Sequence, residues 1–269
     1  MSHHALQRVV VRMLHDPGFV QALPQVSPEA LGLTPQEHAW ATAVDPRAWR
    51  TDPYRRSRRL TSLIEEFPVS SAYIVRLANA ETLDAFFSSP FFHDAVQARS
   101  VLAHAFGRYL VDLPAGDDTS RALSTLEGAI AQVRRAVVPQ AAREAKRWMT
   151  PPTQAPLTLP EGTLDGYLAI RRGLDVTTGE RTVATALDQK TPLPTIQLSV
   201  ASEHLLVSDG PAGPAIAVQS DALIGLLKRA SRPVSEEALV DYLRSEGVDD
   251  AVDLLAELET EGLLLRVAG

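Results

Sequence analysis

From residue 4 to residue 148 apolar positions recur three and four apart between short polar breaks, a pattern that predicts consecutive helices. Start signals support it. Ser27-Pro28, Thr34-Pro35, Asp45-Pro46, Asp52-Pro53 and Ser89-Pro90 each pair a capping oxygen with a proline whose φ suits the first helical position. Thr34 with Glu37 adds a capping box. Two stretches predict longer helices, "SPFFHDAVQARSVLAHAFGRYLVDL" and "TSRALSTLEGAIAQVRRAVVPQAAREAKRW", the second kinked at Pro139. The four prolines of "TPPTQAPLTLPEG", residues 150–162, break this pattern and predict a linker. Beyond it the period moves toward two, so "GYLAIRRGL", "TIQLSV", "HLLVSDG" and "AIAVQ" are expected as strands, with a turn at "SDGPAGP". Three helices are expected near 220–230, 235–245 and 249–261, stopped by Gly247 and Gly262, with "GLLLRV" as a closing strand. The expected fold class is α+β, mostly α: a helical domain (1–149), a Pro-rich linker (150–162) and a strand-plus-helix domain (163–269).

Composition narrows the classes. At 269 residues and 45% apolar content the chain can bury a substantial core. No apolar run is long enough for a bilayer, and "MSHHALQRVVVRML" carries charges inside its short apolar stretch, so a cytoplasmic protein without a membrane partner is expected. The absence of cysteine excludes disulfides, thiolate metal sites and cysteine nucleophiles.

Strands followed by three compact helices, βββααα, have the outline of a winged helix, whose common use is DNA reading. Charge argues otherwise. From residue 211 to the end eleven acids face five bases, and "DDAVDLLAELETE" has no base at all. With a net charge of -7, phosphate docking is disfavoured and no nucleic-acid partner is expected. A transcriptional regulator with a helical sensor or dimerisation domain stands as the alternative.

The stretch "LLVSDGPAGPAIAVQSDALIGLLKRASRPVSEEALVDYLRSEGVDDAVDLLAELETEGLL" resembles the precursor-peptide recognition domain of ribosomal peptide pathways, a winged-helix module typified by the small chaperone of pyrroloquinoline quinone biosynthesis. "RPVSEEALVDYL" and the ending Leu258-Glu259-Thr260-Glu261-Gly262-Leu263-Leu264 carry the likeness. It implies that a leader peptide adds as a strand along Ala215, Ile216, Ala217, Val218 and Gln219. The groove-facing residues would come from Ala251, Leu254, Leu255 and Leu258. By its helical half, in the style of "MLHDPGFVQAL" and "FFSSPFFHDAVQARSVLAHAFGRYL", the whole chain is similar to the partner proteins of multinuclear non-heme iron oxidative enzymes. That likeness implies an adaptor, with no cofactor in this chain, iron in the partner enzyme, and a precursor peptide presented to it.

For the helical half, "RTDPYRRSRRL" supplies the one dense basic patch; Arg55, Arg56, Arg58 and Arg59 are candidates for an acidic partner surface, against a plain solvated face. His93 and His104 are expected on one helix about 16 Å apart, too far to share a metal. They are expected to be structural, and His3-His4 is weak evidence for metal. "SDGPAGPA" has proline where a phosphate loop needs N–H donors, and no G-x-S-x-G occurs. No catalytic residue and no metal ligand is expected.

Overall fold

A computed structural model describes residues 3–50, 54–137, 147–174, 180–190, 192–210 and 213–267. The Asp52-Pro53 helix start and the Pro139 kink lie outside the described residues, and the helix expected to reach Trp148 is a correction, since Trp148 lies in a strand. The chain divides into two compact units, each discontinuous in sequence: residues 1–127 with 167–195, and residues 128–166 with 196–269. The architecture is α+β and mostly helical, with two small antiparallel sheets. No helix among the described residues is long and apolar enough to cross a membrane.

The first unit carries α1 (His3–His15), α2 (Pro17–Ala22), α3 (Pro35–Ala43), α4 (Arg55–Glu66), α5 (Pro68–Leu77), α6 (Ala80–Asp84), α7 (Pro90–Gln97) and α8 (Leu102–Val111). It also holds the first part of α9 (Asp118–Val133). The caps expected at Ser89 and Thr34 form: Ser89 accepts from the Phe92 N–H, and Thr34 and Glu37 bond reciprocally at 2.8 and 3.2 Å. The first long helix expected from sequence is instead two, α7 and α8. Arg99 adopts a left-handed φ of 51° between them, and the Ser100 N–H returns to the Ala95 carbonyl as in a Schellman stop. His93 and His104 therefore belong to different helices, a correction to their expected common face. The core is aromatic, with Phe67, Phe86, Phe87, Phe92 and Phe106 all fully buried.

Glu127 of α9 is wholly buried and accepts from the N–H groups of Val69 (3.0 Å) and Ser70 (2.8 Å). These are first-turn donors of α5 that have no intrahelical acceptor. Burial nevertheless pushes the Glu127 pKa from 4.5 up to about 7, while these hydrogen bonds and the Arg171 charge pull the other way. The folded chain thus holds this proton more tightly than the unfolded chain. The resulting stability is full below the unfolded value of 4.5 and is lost as pH rises through about 7. A fall of roughly 3 kcal/mol from this group is expected across that window. Urea unfolding at about pH 5 and about pH 8 measures it. Glu127→Gln should lower stability at the acid end and flatten the slope; an unchanged slope in the variant would contradict the assignment.

Between two strands of one sheet, residues 154–160 and 202–208, the chain forms α10 (Thr163–Gly173) and α11 (Glu180–Leu187). The expected strand "GYLAIRRGL" is a correction, since it lies in α10. Thr163, Tyr167 and Ile170 are buried along it and Leu174 just after its end, spaced three and four apart. In the first unit Arg76 donates to the carbonyls of Ala186 (2.5 Å) and Thr185 (3.2 Å) at the end of α11, meeting acceptors that a helix terminus leaves open.

The second unit contains β1 (Arg147–Met149), β2 (Gln154–Pro160), β3 (Ser202–Ser208), β4 (Ala215–Val218), α12 (Asp221–Arg229), β5 (Val234–Ser235), α13 (Glu236–Ser245), α14 (Ala251–Thr260) and β6 (Leu265–Val267). Strand orders are β5-β1-β6 and β2-β3-β4, all pairs antiparallel. Ser220 and Ser235 cap α12 and α13, and Gly247 and Gly262 take left-handed φ values of 85° and 73° after α13 and α14. The expected linker 150–162 is corrected as well, because it contains β2. Thr150 is buried and pinned: its N–H donates to Ala230 and its hydroxyl to Leu227, both at 2.7 Å, satisfying carbonyls at the end of α12. "TIQLSV" forms no strand. It is tied to the end of β2 by bonds between Glu161 and Ala201 (2.8 Å) and between Ser199 and Glu161 (2.9 Å). There Gly162, at φ 93°, lets the Gln197 carbonyl come within 2.5 Å of where a Cβ would stand.

Candidate functional site

Strand β4 pairs Ala215, Ile216, Ala217 and Val218 with Ser208, Val207, Leu206 and Leu205 of β3, and it is an edge of its sheet. The Gln219 N–H just beyond it donates to the His204 carbonyl at 2.8 Å. Antiparallel bonds alternate along a pair, so Ala215, Ala217 and Gln219 turn their main chain toward β3, while Ile216 and Val218 turn theirs to the open side. Side chains alternate too. Ile216 and Val218 share one face, where Val218 is 65% exposed; Ala215 and Ala217 leave the other face low.

The opposite edge of this sheet is closed to such pairing. The Asp209 N–H bonds the Thr153 carbonyl at 3.0 Å, which sets the alternation so that odd-numbered residues of β2 pair with β3. Pro156 and Pro160 therefore stand on the outward side, where they remove the donors an added strand would need. Strand β4 has no proline within it.

The four helix residues expected to line a groove are placed differently. Ala251, Leu255 and Leu258 of α14 are buried in one core cluster with Trp148, Ile224, Leu227 and Leu243, and Leu254 packs half-buried against that cluster. Ala251, Leu255 and Leu258 are thus occupied in packing, which corrects their expected exposure to a groove. On the outer side of α14 stand Val252, Asp253, Ala256 and Glu257.

A polar group that sequence reading missed lies on the sheet face beside α12. Thr158 of β2 is opposite His204 of β3, and its hydroxyl is 3.3 Å from His204 Nδ1. The Asp221 carboxylate is 3.4 Å from that same nitrogen, and Lys228 Nζ donates to the Thr158 hydroxyl at 2.6 Å. Both oxygens address one ring nitrogen. A hydroxyl-histidine-carboxylate relay requires the two nitrogens to take one partner each, so this is not the geometry of an activated nucleophile. It joins the start and end of α12 to the β2-β3 sheet. Only the cross-strand register brings Thr158 to His204, and no local motif encodes it.

In the first unit the basic patch begins α4. Arg56 is built in, donating to Asp84 Oδ1 (2.5 Å), the Asp84 carbonyl (3.0 Å) and the His15 carbonyl (2.5 Å). Structural pairing thus accounts for Arg56, a correction to its expected partner-facing role. Arg55 is half-buried, whereas Arg58 and Arg59 are exposed. His15 is buried, stacked on Phe87 at 5.5 Å and edge-on to Phe92 at 4.8 Å. Burial first, then the charges of Arg59, Arg55 and Arg56, push its pKa down to about 4, so its ring is neutral at neutral pH. Among the described residues no three His, Asp or Glu side chains stand close enough together to hold a metal ion.

No protein-family model matches the chain, and no curated protein is similar to it. The candidate site thus rests on geometry: one sheet edge blocked by prolines and one left open.

Proposed function

We propose that the protein is a non-catalytic adaptor that captures an extended ribosomal precursor peptide along β4 and presents it to an iron-dependent modifying enzyme. The observation that carries this reading is the open edge at Ile216 and Val218. An added strand gains its main-chain hydrogen bonds there, and its alternate side chains can rest on the apolar pair. A winged-helix reading of the second unit is supported by its order. The strand between the first two helices, β5, and the strand after the third, β6, flank a common central strand, supplied here by β1 from earlier in the chain. Arg58 and Arg59 on α4 suit an acidic face of the enzyme.

The experiment is co-expression of the full chain with the products of neighbouring genes, reading co-elution and iron content. An iron-loaded enzyme eluting with the chain is expected, weakened by Arg58→Glu with Arg59→Glu. The helix order also favours a second reading, a DNA-binding regulator, although the acidic α14 would meet phosphate repulsion. Salt-dependent binding to its own promoter fragment, without a co-eluting enzyme, would favour that reading over the adaptor.

A further inference from the structure

We propose that the cleft between α1 and the short turn Glu29–Leu31 binds a small monocarboxylate with an aromatic or branched aliphatic body. The cleft has a volume of about 250 Å³ and is lined by Arg8, Val9 and Arg12 of α1, Phe19 of α2, Leu31 of the turn and His93 of α7. All of these belong to the first unit, so the proposal is independent of the edge strand.

The charge arrangement points to an anion. Arg8 and Arg12 are one helical turn apart and present like charges on one face, an arrangement that opposes the helix unless a negative group offsets it. Asp16 offsets only Arg12, at 3.4 Å, and the Arg12 guanidinium is fixed against the cleft wall 4.0 Å from the Phe19 ring centroid. Arg8 is exposed and has no carboxylate within ion-pair distance among the described residues. Asp94 beside His93 is within ion-pair distance of neither guanidinium, so the Arg8 charge is the unpaired one at the mouth. Burial, followed by the Arg12 charge, lowers the His93 pKa, so this ring adds no charge at neutral pH.

Size and lining decide the rest of the ligand. The volume lies just under the usual range of ligand pockets, roughly 300–1,000 Å³, and suits one ring or a short branched chain rather than a nucleotide. Val9 and Phe19 are buried and Leu31 half-buried, giving an apolar body its contacts. A planar guanidinium fork matches the two oxygens of a carboxylate, and one unpaired guanidinium suits a monoanion better than a doubly charged phosphate.

Titration of the full chain with phenylacetate, isovalerate and the neutral phenylacetamide, followed by calorimetry and by NMR, tests this. Both acids are expected to bind, and the amide at least about ten-fold more weakly than phenylacetate, since loss of one charge-assisted pair corresponds to about that factor. Arg8→Gln, at an exposed position and checked for unchanged circular dichroism, should weaken phenylacetate binding about ten-fold, and Arg232→Gln should leave it unchanged. Failure of both acids to bind at millimolar concentration would overturn the proposal. So would an amide that binds as well as the acid, or an Arg8→Gln variant that binds like the wild type.

Discussion

Replacing Phe86 by alanine is expected to destabilise the protein by about 3–5 kcal/mol, a large part of the roughly 5–15 kcal/mol that holds a typical domain folded. Phe86 has no exposed surface, and its ring meets Phe106 at 5.1 Å and Phe87, Phe92 and Tyr109 each at 5.5 Å. Truncation removes the shared member of these pairs and leaves a cavity among rigid rings that cannot easily collapse. The cost therefore combines lost transfer energy with lost dispersion. Phe91 makes the control. It is half-buried, with Tyr109 at 6.3 Å and the Arg108 guanidinium at 5.4 Å, and Phe91→Ala should cost about 1 kcal/mol. Urea unfolding of the two variants separates these outcomes; similar small losses for both would show that Phe86 is not the centre of the cluster.

Trp148→Ala is expected to have a comparable effect in the second unit, again about 3–5 kcal/mol. Trp148 is 1% exposed within the cluster formed by α12, α13 and α14, although it precedes the proline-rich stretch in sequence. Its indole N–H donates to Glu236 at 3.2 Å, and the Arg266 guanidinium lies 4.3 Å from its ring. Strand β1, which carries it, is the central member of its sheet, so losing the indole loosens both β5 and β6. Trp148→Phe keeps most of the apolar volume and should lose markedly less. Unfolding midpoints for the three chains measure this, and an alanine variant as stable as the wild type would place Trp148 outside the core. The same placement predicts that cleaving the chain between Thr150 and Pro151 leaves neither part independently stable, because each unit draws on both sides of the cut.

Local signals were the most legible in this sequence. The caps at Thr34 and Ser89 and the stops at Gly247 and Gly262 depend on residues a few positions apart, and the last three helices fall where their periodicity predicts. Features set by distant partners were obscured. Strand β2 carries Pro156 and Pro160, which read as linker residues until β3 is seen to take only the alternate main-chain groups. In α10 the run Tyr167-Leu168-Ala169-Ile170 looks strand-like on its own, and only its extension to Leu174 reveals the helical spacing. At the candidate site the strand Ala215–Val218 was legible from its bounded apolar run. The fate of Ala251, Leu255 and Leu258 was not, since the same spacing serves a groove and a core equally well, and packing against Trp148 from β1 decides between them.

Strand addition at β4 is measured by the binding of labelled peptides from neighbouring open reading frames to the full chain and to Ile216→Pro. The substitution removes an outward N–H and leaves the bonds to β3 in place, so the variant should unfold at nearly the wild-type midpoint. The expected result is a loss of peptide affinity of about ten-fold or more in a folded variant, in keeping with a lost main-chain bond and a blocked edge. Wild-type affinity in the folded proline variant, or no binding by the wild-type chain, would contradict it.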